Sequence, residues 1–519
     1  MAMMPRMRTS LLAIAFAALP SVAALQAPET LELPSLFSDH MVLQRDKPIP
    51  IWGWAPAGEE IRVRLGKQKA AATTTDTDGR WKLTLQPMAA GGPHKLTVRG
   101  KEKIVIEDVL IGEVWLASGQ SNMAMNVQGC INFDQEKAAA DLPQIRMFSV
   151  PRKPQTAPQD RCGGDWQVCS PDTIGRFSAT AYFFGRKLHE VLDVPVGLIN
   201  SSVGGTAIEA WTSMDKQKGV AKLTPVFAPW TQAKGSWDPA AAEKNHAKRL
   251  VRWEAQAKKA REAGTKVPRK PRKQTDPALS TNRPANLFNG MISPVVGYGI
   301  RGAIWYQGER NSKNDEFAKL YRHQLPMLVA DWRERWGQGD FPFLWVQLPN
   351  FKAVNEDPGA ASSWALMRES MLLSLKTPNT GMAVAIDVGD AKNIHPKNKQ
   401  AVGQRLAQWA LAETYGQNIP ASGPLYISHR TQDGRVTMTF ERAHGLRTSG
   451  GQPLKGFAIA GQDRQWHWAQ AKIEGRSIVV WHPQVKSPVA VRYAFGDNPQ
   501  CNLENGAGLP ASPFRTDDW

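Results

Sequence analysis

The sequence predicts an α/β fold with a parallel sheet in the middle of the chain and β-rich regions at both ends. Between Val109 and Thr414, short apolar runs alternate with segments of helical periodicity, which is typical of parallel sheets. Short β-type runs alternate with turns in residues 30–105 and from residue 424 onward. A chain of 519 residues also exceeds the usual size of one hydrophobic core, so several domains are expected.

The first 24 residues predict an export signal. Arg6 and Arg8 precede a short apolar run, Leu11–Leu19, and small residues follow at Ser21–Ala24. The run is about half the length of roughly 18 residues that a membrane span requires. We therefore expect a soluble, periplasmic or secreted protein without a membrane span.

Two regions predict small antiparallel β-structures because apolar and polar residues alternate in runs bounded by turns. The N-terminal β-sandwich is expected at 25–107 and the C-terminal β-rich domain at 417–519. The runs in the first region are Ile49–Trp54, Ile61–Leu65, Trp81–Leu85 and His94–Val98. Those in the second are Val436–Phe440, Ile478–Trp481 and Val489–Tyr493.

The central region predicts a catalytic domain in two parts, 108–215 and 283–416. Its predicted strands are Val109–Leu116, Val196–Ile199, Gly302–Trp305, Phe343–Val346 and Met382–Ile386. Its predicted helices are Ala179–Val191, Phe317–Trp336, Trp364–Lys376 and Gln400–Thr414.

A basic helical insert at 216–282 is predicted between these two parts. Residues 244–273 hold twelve Lys or Arg and two Glu, so they contribute 12 − 2 = +10 of the formal net charge of +17. Residues 240–263 favour a helix, and the prolines in 267–273 exclude regular structure there. We expect a solvated arm rather than a site for nucleic acid or an anionic surface, because charge runs mostly face water.

Four cysteines fit an oxidising compartment without forming a disulfide scaffold. The expected pairing is Cys162 with Cys169. No Cys-x-x-Cys or His-Glu-x-x-His spacing is present, so neither a metal nor a cofactor is expected.

Polar residues follow four of the predicted strands at the edge where ligands bind in a parallel sheet. The segments are Gly119–Asn122, Asn200–Thr206, Tyr306–Asn311 and Asp387–Pro396. They supply a hydroxyl, a glycine pair, amide and carboxylate side chains, and a histidine with aspartates nearby. These are the groups that acyl transfer requires, and together they predict a serine hydrolase.

The same segments resemble the signature blocks of a known enzyme family. Trp115–Met123, Ser202–Thr206, Trp305–Glu309 and Asp387–Pro396 resemble those of the sialate O-acetylesterase-like carbohydrate esterases, members of the SGNH hydrolase superfamily. The resemblance extends to a β-rich start around Phe37–Gln44. It implies a flavodoxin-like, three-layer α/β/α SGNH hydrolase domain with β-sandwich accessory regions, which removes O-acetyl groups from sugars without a metal.

By this resemblance, Ser121 corresponds to the nucleophile and His395 to the general base. Gly205 would donate its backbone N–H to the oxyanion. Gln307 stands where the superfamily usually has an oxyanion asparagine. His395 has a second interpretation as a surface residue before a helix, because Pro396 and Asn398 resemble a helix start.

Two further side chains belong to the predicted site. Asn122 is expected to hydrogen-bond to substrate or to the oxyanion. Glu309 would bind sugar hydroxyls, orient Gln307, or pair with a nearby cation.

The acid partner of His395 departs from the superfamily pattern. Most SGNH enzymes have an aspartate three residues before the histidine, but that position here is Lys392. Asp390 and Asp387 are the alternatives, and Asp390 is preferred because it lies inside the loop. A Ser–His dyad oriented by a backbone carbonyl stays open.

The resemblance leaves the sugar open between acetylated plant polysaccharide, such as xyloglucan or xylan, and O-acetylated sialic acid. An exported enzyme with extra β-domains favours the polysaccharide or its oligosaccharides. Nineteen tryptophans suit sugar binding, and Trp211, Trp230 and Trp237 are candidates for the site, although most are expected in the core. A carbohydrate-binding protein without catalysis and a lipase or thioesterase are the remaining alternatives.

Overall fold

The structure, a computed structural model, describes residues 28–235 and 237–519. The predicted export signal at 1–24 lies outside these residues. Among the residues described, no helix is both long and apolar enough to cross a membrane.

The regular elements are numbered in chain order. The strands are β1 (Val42–Gln44), β2 (Ile49–Trp54), β3 (Glu60–Leu65), β4 (Ala71–Thr74), β5 (Arg80–Leu85), β6 (Gly91–Arg99), β7 (Lys103–Gly119), β8 (Leu142–Ser149), β9 (Trp166–Cys169), β10 (Val196–Ser202), β11 (Gly302–Tyr306), β12 (Phe343–Val346), β13 (Thr380–Ala383), β14 (Leu425–Gln432), β15 (Arg435–Glu441), β16 (Arg447–Thr448), β17 (Phe457–Ala460), β18 (Trp466–Trp468), β19 (Gln470–Glu474), β20 (Ser477–Trp481), β21 (Ala490–Tyr493), β22 (Leu503–Glu504) and β23 (Phe514–Arg515). The α-helices are α1 (Ser121–Ala124), α2 (Phe133–Ala138), α3 (Ala179–Leu192), α4 (Met214–Gln217), α5 (Thr224–Gly235), α6 (Pro239–Glu262), α7 (Asp315–Trp336), α8 (Ser363–Leu373) and α9 (Lys399–Trp409).

The central sheet has the strand order β13-β12-β11-β7-β10-β8-β9. All neighbours pair in parallel except β9, which is antiparallel to β8. In a parallel sheet the carboxyl ends of the strands meet at one edge. This arrangement brings the segments after β7, β10 and β11 to neighbouring positions.

Helices cover both faces of the central sheet. Trp305 and Tyr306 are consecutive in β11, so their side chains point to opposite faces. The Trp305 ring packs against Trp332 of α7, with 6.0 Å between centroids, whereas the Tyr306 ring faces Lys399 at the start of α9. Helix α8 packs against α7 and α3 against α9. The predicted α/β class with β-rich accessory regions is confirmed, and its central part has three layers.

Strand β7 joins the N-terminal β-structure to the central sheet. Its first half pairs with β6, and its second half pairs with β10 and β11. The strand is 17 residues long, and the domain boundary expected between residues 107 and 108 falls inside it. Hydrogen bonding is therefore continuous from β3, β4 and β6 into the parallel strands.

The C-terminal region contains two four-stranded antiparallel sheets, β14-β15-β20-β19 and β18-β17-β21-β23. Side chains from both sheets, including Met438, Ile459, Val480 and Val491, share one buried core. The three strands predicted here are present within one residue of the expected bounds.

Arg368 of α8 ties this C-terminal region to the catalytic part. Its side chain is fully buried and donates hydrogen bonds to the carbonyls of Leu348 (2.8 Å), Pro349 (2.7 Å), Gly496 (2.6 Å) and Asp497 (3.0 Å). Burial lowers the pKa of Arg368 to about 9. The guanidinium therefore replaces water as the partner of four carbonyl groups at the junction.

The basic insert contains the predicted helix, which is α6, and residues 265–276 lack regular structure. Asp238 caps α6 by accepting from two backbone N–H groups. The irregular segment folds back along α6, where Trp253 Nε1 donates to the Pro268 carbonyl at 2.7 Å. Most side chains of α6 are exposed, as expected of a solvated arm.

The predicted disulfide between Cys162 and Cys169 is wrong. The free thiols are those of Cys130, Cys162, Cys169 and Cys501. Cys169 is the last residue of β9, whereas Cys162 lies four residues before that strand, and the two contact different neighbours. Cys162 lies by Ser35, and the buried Cys169 donates to the Ala140 carbonyl.

Candidate active site

Ser121 lies directly after the long central strand. It is the first residue of α1, two residues beyond the end of β7 at Gly119. Gly119 has a φ of +139°, and a Cβ there would overlap the Tyr306 carbonyl of β11. Only glycine therefore permits the close turn that presents the half-buried Ser121 at the sheet edge.

The glycine pair after β10 lies next to Ser121. A Cβ added to Gly204 would be 3.4 Å from the Cβ of Ser121. Gly205 follows with a φ of +73° and is exposed, with open space where a side chain would be. Its carbonyl accepts from Asn282 Nδ2 at 3.1 Å, which holds the turn in place.

His395 lies in the loop between β13 and α9 and is partly buried. Its backbone N–H donates to Asn393 Oδ1 at 3.0 Å. Burial lowers the pKa of the His395 imidazole, and the positive charge of Lys399 lowers it further. Both effects favour the neutral imidazole, which is the form that accepts a proton as a general base.

One side chain joins the Ser121 turn to the His395 loop. Asn122, the residue after Ser121, donates from Nδ2 to the carbonyl of Ile394, the residue before His395, at 3.0 Å. On the other side of the histidine, Lys399 Nζ donates to the Pro396 carbonyl at 2.7 Å. These two contacts fix the backbone on both sides of His395 against the serine turn.

Asn122 also bridges a buried cation and a buried carboxyl group. Its Oδ1 accepts from Lys399 Nζ at 2.6 Å, and its Nδ2 donates to Glu309 Oε1 at 2.5 Å. Burial lowers the pKa of Lys399 to about 8 and raises the pKa of Glu309. The amide dipole of Asn122 points its oxygen at the ammonium group and its nitrogen at the carboxyl group.

This arrangement differs from the predicted substrate contacts of Asn122 and Glu309. Asn122 is fully buried and both polar atoms of its side chain bind protein groups, so the side chain has no polar atom left for substrate. Glu309 is 9% exposed as a residue, and its Oε2 is buried without a hydrogen-bond partner in the described part of the chain. Of the roles predicted for Glu309, pairing with a cation agrees best with the structure. The cation is Lys399, and Asn122 forms a hydrogen bond to each of the two side chains.

Gln307 does not point at the expected oxyanion position. Its amide is fully buried and donates to Gln120 Oε1 (3.1 Å), the Thr206 carbonyl (3.1 Å) and Asn311 Oδ1 (2.8 Å). Its Oε1 accepts from the Tyr321 hydroxyl at 2.8 Å. Because protein acceptors take both amide hydrogens, Gln307 connects the loops beneath the site instead of donating into it.

Asp390 is also placed differently from the prediction. The residue is exposed, and its Oδ1 accepts from the backbone N–H groups of Lys392 (2.8 Å) and Asn393 (3.2 Å). Asp387 forms a two-pronged ion pair with Arg405 (2.6 and 2.7 Å). Throughout residues 28–235 and 237–519, no carboxylate hydrogen-bonds to the His395 ring. The expected Asp390–His395 contact is replaced by a turn in which a carboxylate binds its own backbone.

The structure therefore places Gly204 and Gly205 next to the Ser121 turn, and Asn122 joins that turn to the His395 loop. Trp211, a predicted lining residue, is fully buried and donates from Nε1 to Thr206 Oγ1. Trp230 and Trp237 are partly buried in the insert. Within the ranges described, no group of three His, Cys, Asp or Glu side chains could hold a metal ion.

Lys399 and Asn393 are the site residues that the sequence interpretation missed. Lys399 is the first residue of α9, where the helix dipole disfavours a cation, and this mismatch was an available signal. Asn393 lies two residues before His395, the spacing at which an asparagine side chain accepts a backbone N–H.

Comparisons with known proteins show the family to which the chain belongs. The family profile described as "Carbohydrate esterase, sialic acid-specific acetylesterase" matches residues 111–223 and 281–412. The chain is 31% identical to the sialate O-acetylesterase of Mus musculus, with 92% of this chain and 93% of the relative covered. It is 30% identical to the human enzyme, with 92% and 91% covered.

A solved structure is similar over nearly the whole chain. It is a carbohydrate acetylesterase from Xanthomonas citri, 37% identical, with a TM-score of 0.79 and coverage of 94% of this chain and 100% of that one. The fold and the comparisons define a carboxylic ester hydrolase that acts on carbohydrate O-acetyl groups. The chain belongs to the sialate O-acetylesterase family of carbohydrate esterases.

Proposed function

We propose that the protein removes O-acetyl groups from acetylated plant polysaccharide, such as xyloglucan or xylan, or from its oligosaccharides, with Ser121 as nucleophile and His395 as base. The observation that supports the two catalytic roles is the 3.0 Å hydrogen bond from Asn122 to the Ile394 carbonyl. It ties the residue after the serine to the residue before the histidine, so the two reactive groups share one edge of the sheet.

The proposed reaction has two steps. Ser121 Oγ attacks the acetyl carbon, and its proton passes to the neutral imidazole of His395. The bond to the sugar oxygen then breaks, and His395 returns the proton to that oxygen. Water attacks the acetyl-serine with His395 again as base, which releases acetate and restores Ser121.

Two backbone N–H groups are proposed as oxyanion donors. Gly205 is exposed beside Ser121, and the Ser121 N–H belongs to the first turn of α1, where no intrahelical acceptor exists. Gln307 supports this hole through its bonds to Gln120 and to the Thr206 carbonyl. Asp390 acts on the shape of the His395 loop, so the pair that moves protons is the Ser121–His395 dyad.

One observation favours O-acetylated sialic acid as a second candidate substrate. Arg310 donates its backbone N–H to Gln120 Oε1 at 3.2 Å, which places it at the edge of the site. Its side chain is exposed and forms no ion pair with any described residue. A free guanidinium at this position can bind the carboxylate that a sialic acid carries and a neutral polysaccharide lacks.

Acetate release tests the proposal on three substrates: acetylated xyloglucan, acetylated xylan and O-acetylated sialic acid. We expect Ser121→Ala to lower kcat by about 10⁴-fold or more, because it removes the nucleophile. Ser202→Ala is the matched control, since Ser202 lies beside Gly119 in the sheet but its hydroxyl binds Asn200. Full acetate release by Ser121→Ala would overturn the nucleophile assignment.

The same assay separates the two substrates. If sialic acid is the substrate, Arg310→Ala lowers kcat/KM on it by about tenfold or more, the value of one charge-assisted hydrogen bond. If polysaccharide is the substrate, that variant behaves as wild type on xylan and xyloglucan. Activity restricted to sialic acid contradicts the polysaccharide proposal.

We also propose that the protein is periplasmic or secreted, as the segment at 1–24 predicts. Sequencing the N-terminus of the protein isolated from its native cells tests this. We expect a new N-terminus after Ala24 in the periplasmic or external fraction. An intact N-terminus in the cytoplasm would contradict export.

A further inference from the structure

A second concave surface lies between the loop after β12 and the C-terminal sheets. We call it the Trp468 groove. It encloses about 380 Å³, within the usual range of ligand sites. Its lining residues are Val354, Asn355, Glu356, Leu454, Lys455, Gly456, Phe457, Trp468, Ala469 and Gln500.

Trp468 presents an apolar ring surface to this groove. The residue is 43% exposed at the end of β18, and its Nε1 donates to the Glu356 carbonyl at 2.9 Å. The polar edge of the indole is thus bound to protein, which fixes the ring while part of its surface stays open. A fixed, exposed indole is suited to pack against the C–H face of a sugar ring.

The polar groups of the groove fit a neutral ligand with hydroxyl groups. Gln500 is exposed, and its amide forms no hydrogen bond with any described residue. Glu356 and Lys455 are also exposed, and their opposite charges leave the lining without net charge. An amide, a carboxylate and an ammonium group together offer both donors and acceptors to sugar hydroxyls.

The loop that forms one wall of the groove is attached to the His395 loop. Phe351 pairs with Asp390 in a parallel β-bridge, and Asn350 Oδ1 accepts from the Gly389 N–H at 2.8 Å. Val354 is three residues beyond Phe351, so its Cα lies at most about 11 Å away at 3.8 Å per residue. The groove therefore begins within a few residues of the loop that carries the base.

We propose that the Trp468 groove is a distal subsite, which binds unmodified sugar residues of the same neutral glycan chain from which Ser121 removes an acetyl group. This proposal rests on the polysaccharide function proposed above. It assigns to the C-terminal sheets a part in binding substrate, since Trp468, Lys455 and Phe457 all come from that region.

Trp468→Ala in the full-length protein tests the subsite. We expect KM for acetylated xylan or xyloglucan to rise about tenfold. The effect on hydrolysis of 4-nitrophenyl acetate should be much smaller, because this ester is too short to contact the groove while its acetyl group lies at Ser121. Trp519→Ala is the matched control, because Trp519 is 37% exposed and does not line the groove. An equal effect on both substrates, or none on the polymer, overturns the proposal.

Trp468→Phe separates stacking from loop positioning. Phenylalanine keeps an aromatic face but cannot donate to the Glu356 carbonyl. We expect KM for the polymer to stay within about threefold of wild type. If Trp468→Phe is as impaired as Trp468→Ala, the hydrogen bond to the loop causes the effect and the stacking role is wrong.

Calorimetry with deacetylated xylan and xyloglucan oligosaccharides measures binding at the Trp468 groove without requiring catalysis. We expect binding to wild type and to Ser121→Ala, and loss of binding in Trp468→Ala. Absence of binding to wild type overturns the subsite. Binding without acetate release from either polymer instead contradicts the proposed polysaccharide esterase function and leaves the groove confirmed as a glycan site.

Discussion

Replacing Asp390 by asparagine or by alanine distinguishes two roles for this carboxylate. In the structure, Oδ1 of Asp390 accepts two backbone hydrogen bonds from Lys392 and Asn393, and the carboxylate forms no hydrogen bond with the His395 ring. Asparagine keeps an oxygen acceptor at the same position, whereas alanine removes it. If Asp390 only shapes the loop, the two variants should differ strongly.

The magnitude follows from those two hydrogen bonds. Each contributes about 0.5–1.5 kcal/mol, so Asp390→Ala loses about 1–3 kcal/mol of the free energy that stabilises the observed loop conformation. If the whole loss is needed again to place His395 in the transition state, the activation free energy rises by the same amount and kcat decreases about 5- to 150-fold. We expect Asp390→Asn to stay within about threefold of wild type.

The assay is kcat for acetate release, with circular dichroism to verify that each variant is folded. An aspartate that orients a catalytic histidine behaves differently, because its replacement by asparagine lowers kcat about 10⁴-fold. A loss of that size in Asp390→Asn would refute the loop-shaping role and restore Asp390 as the acid partner.

Three further predictions concern charge, packing and redox state. Burial is the larger cause of the lowered His395 pKa, and Lys399→Met removes the second cause, a nearby positive charge. The acidic limb of the pH profile of kcat/KM should therefore move to higher pH, and an unmoved limb contradicts this electrostatic effect. Arg368→Met leaves the buried carbonyls of Leu348 and Gly496 without a donor from any described residue, whereas those of Pro349 and Asp497 keep Trp364 Nε1 and the Phe351 N–H. At about 1–3 kcal/mol for each unsatisfied carbonyl, it should destabilise the protein by about 2–6 kcal/mol, seen as a lower Tm; an unchanged Tm contradicts its role at the junction. Alkylation of the unreduced, denatured protein should label Cys162 and Cys169 as free thiols; mass spectrometry that finds them linked contradicts the structure.

The positions of Ser121 and His395 could be predicted because they depend on one rule of topology. Parallel strands place the residues that follow them at one edge of the sheet, and the strands themselves are marked by apolar runs. The ends of β7, β10 and β11 were therefore accessible from sequence within a few residues. The extension of β7 back to Lys103 was missed, because residues 103–108 alternate in burial and pair with β6 instead.

The partners of the polar side chains could not be predicted in the same way. An aspartate in a loop can bind a histidine or its own backbone, and the two choices differ by little free energy. Asp390 takes the second choice. Gln307 likewise follows a strand end as expected, but buried acceptors on Thr206 and Asn311 draw its amide away from the site. Such outcomes depend on atoms that are distant in sequence.

The contact predicted between Asn122 and the substrate was wrong for the same reason. Its place next to the nucleophile suggested contact with the oxyanion, but Lys399 and Glu309 compete for its amide from 277 and 187 residues away. A buried ammonium group requires acceptors, and Asn122 is among those that Lys399 has. The asparagine therefore holds the His395 loop instead of the substrate.

Covalent labelling is the decisive test of the proposal that Ser121 attacks the acetyl group with His395 as its base. A fluorophosphonate reacts with a serine that a neighbouring base has activated, and peptide mass spectrometry identifies the modified residue. We expect one label per chain, on Ser121, with acetate release lost in proportion and labelling greatly slowed in His395→Ala. A label on another residue, or acetate release that survives complete labelling of Ser121, would contradict it.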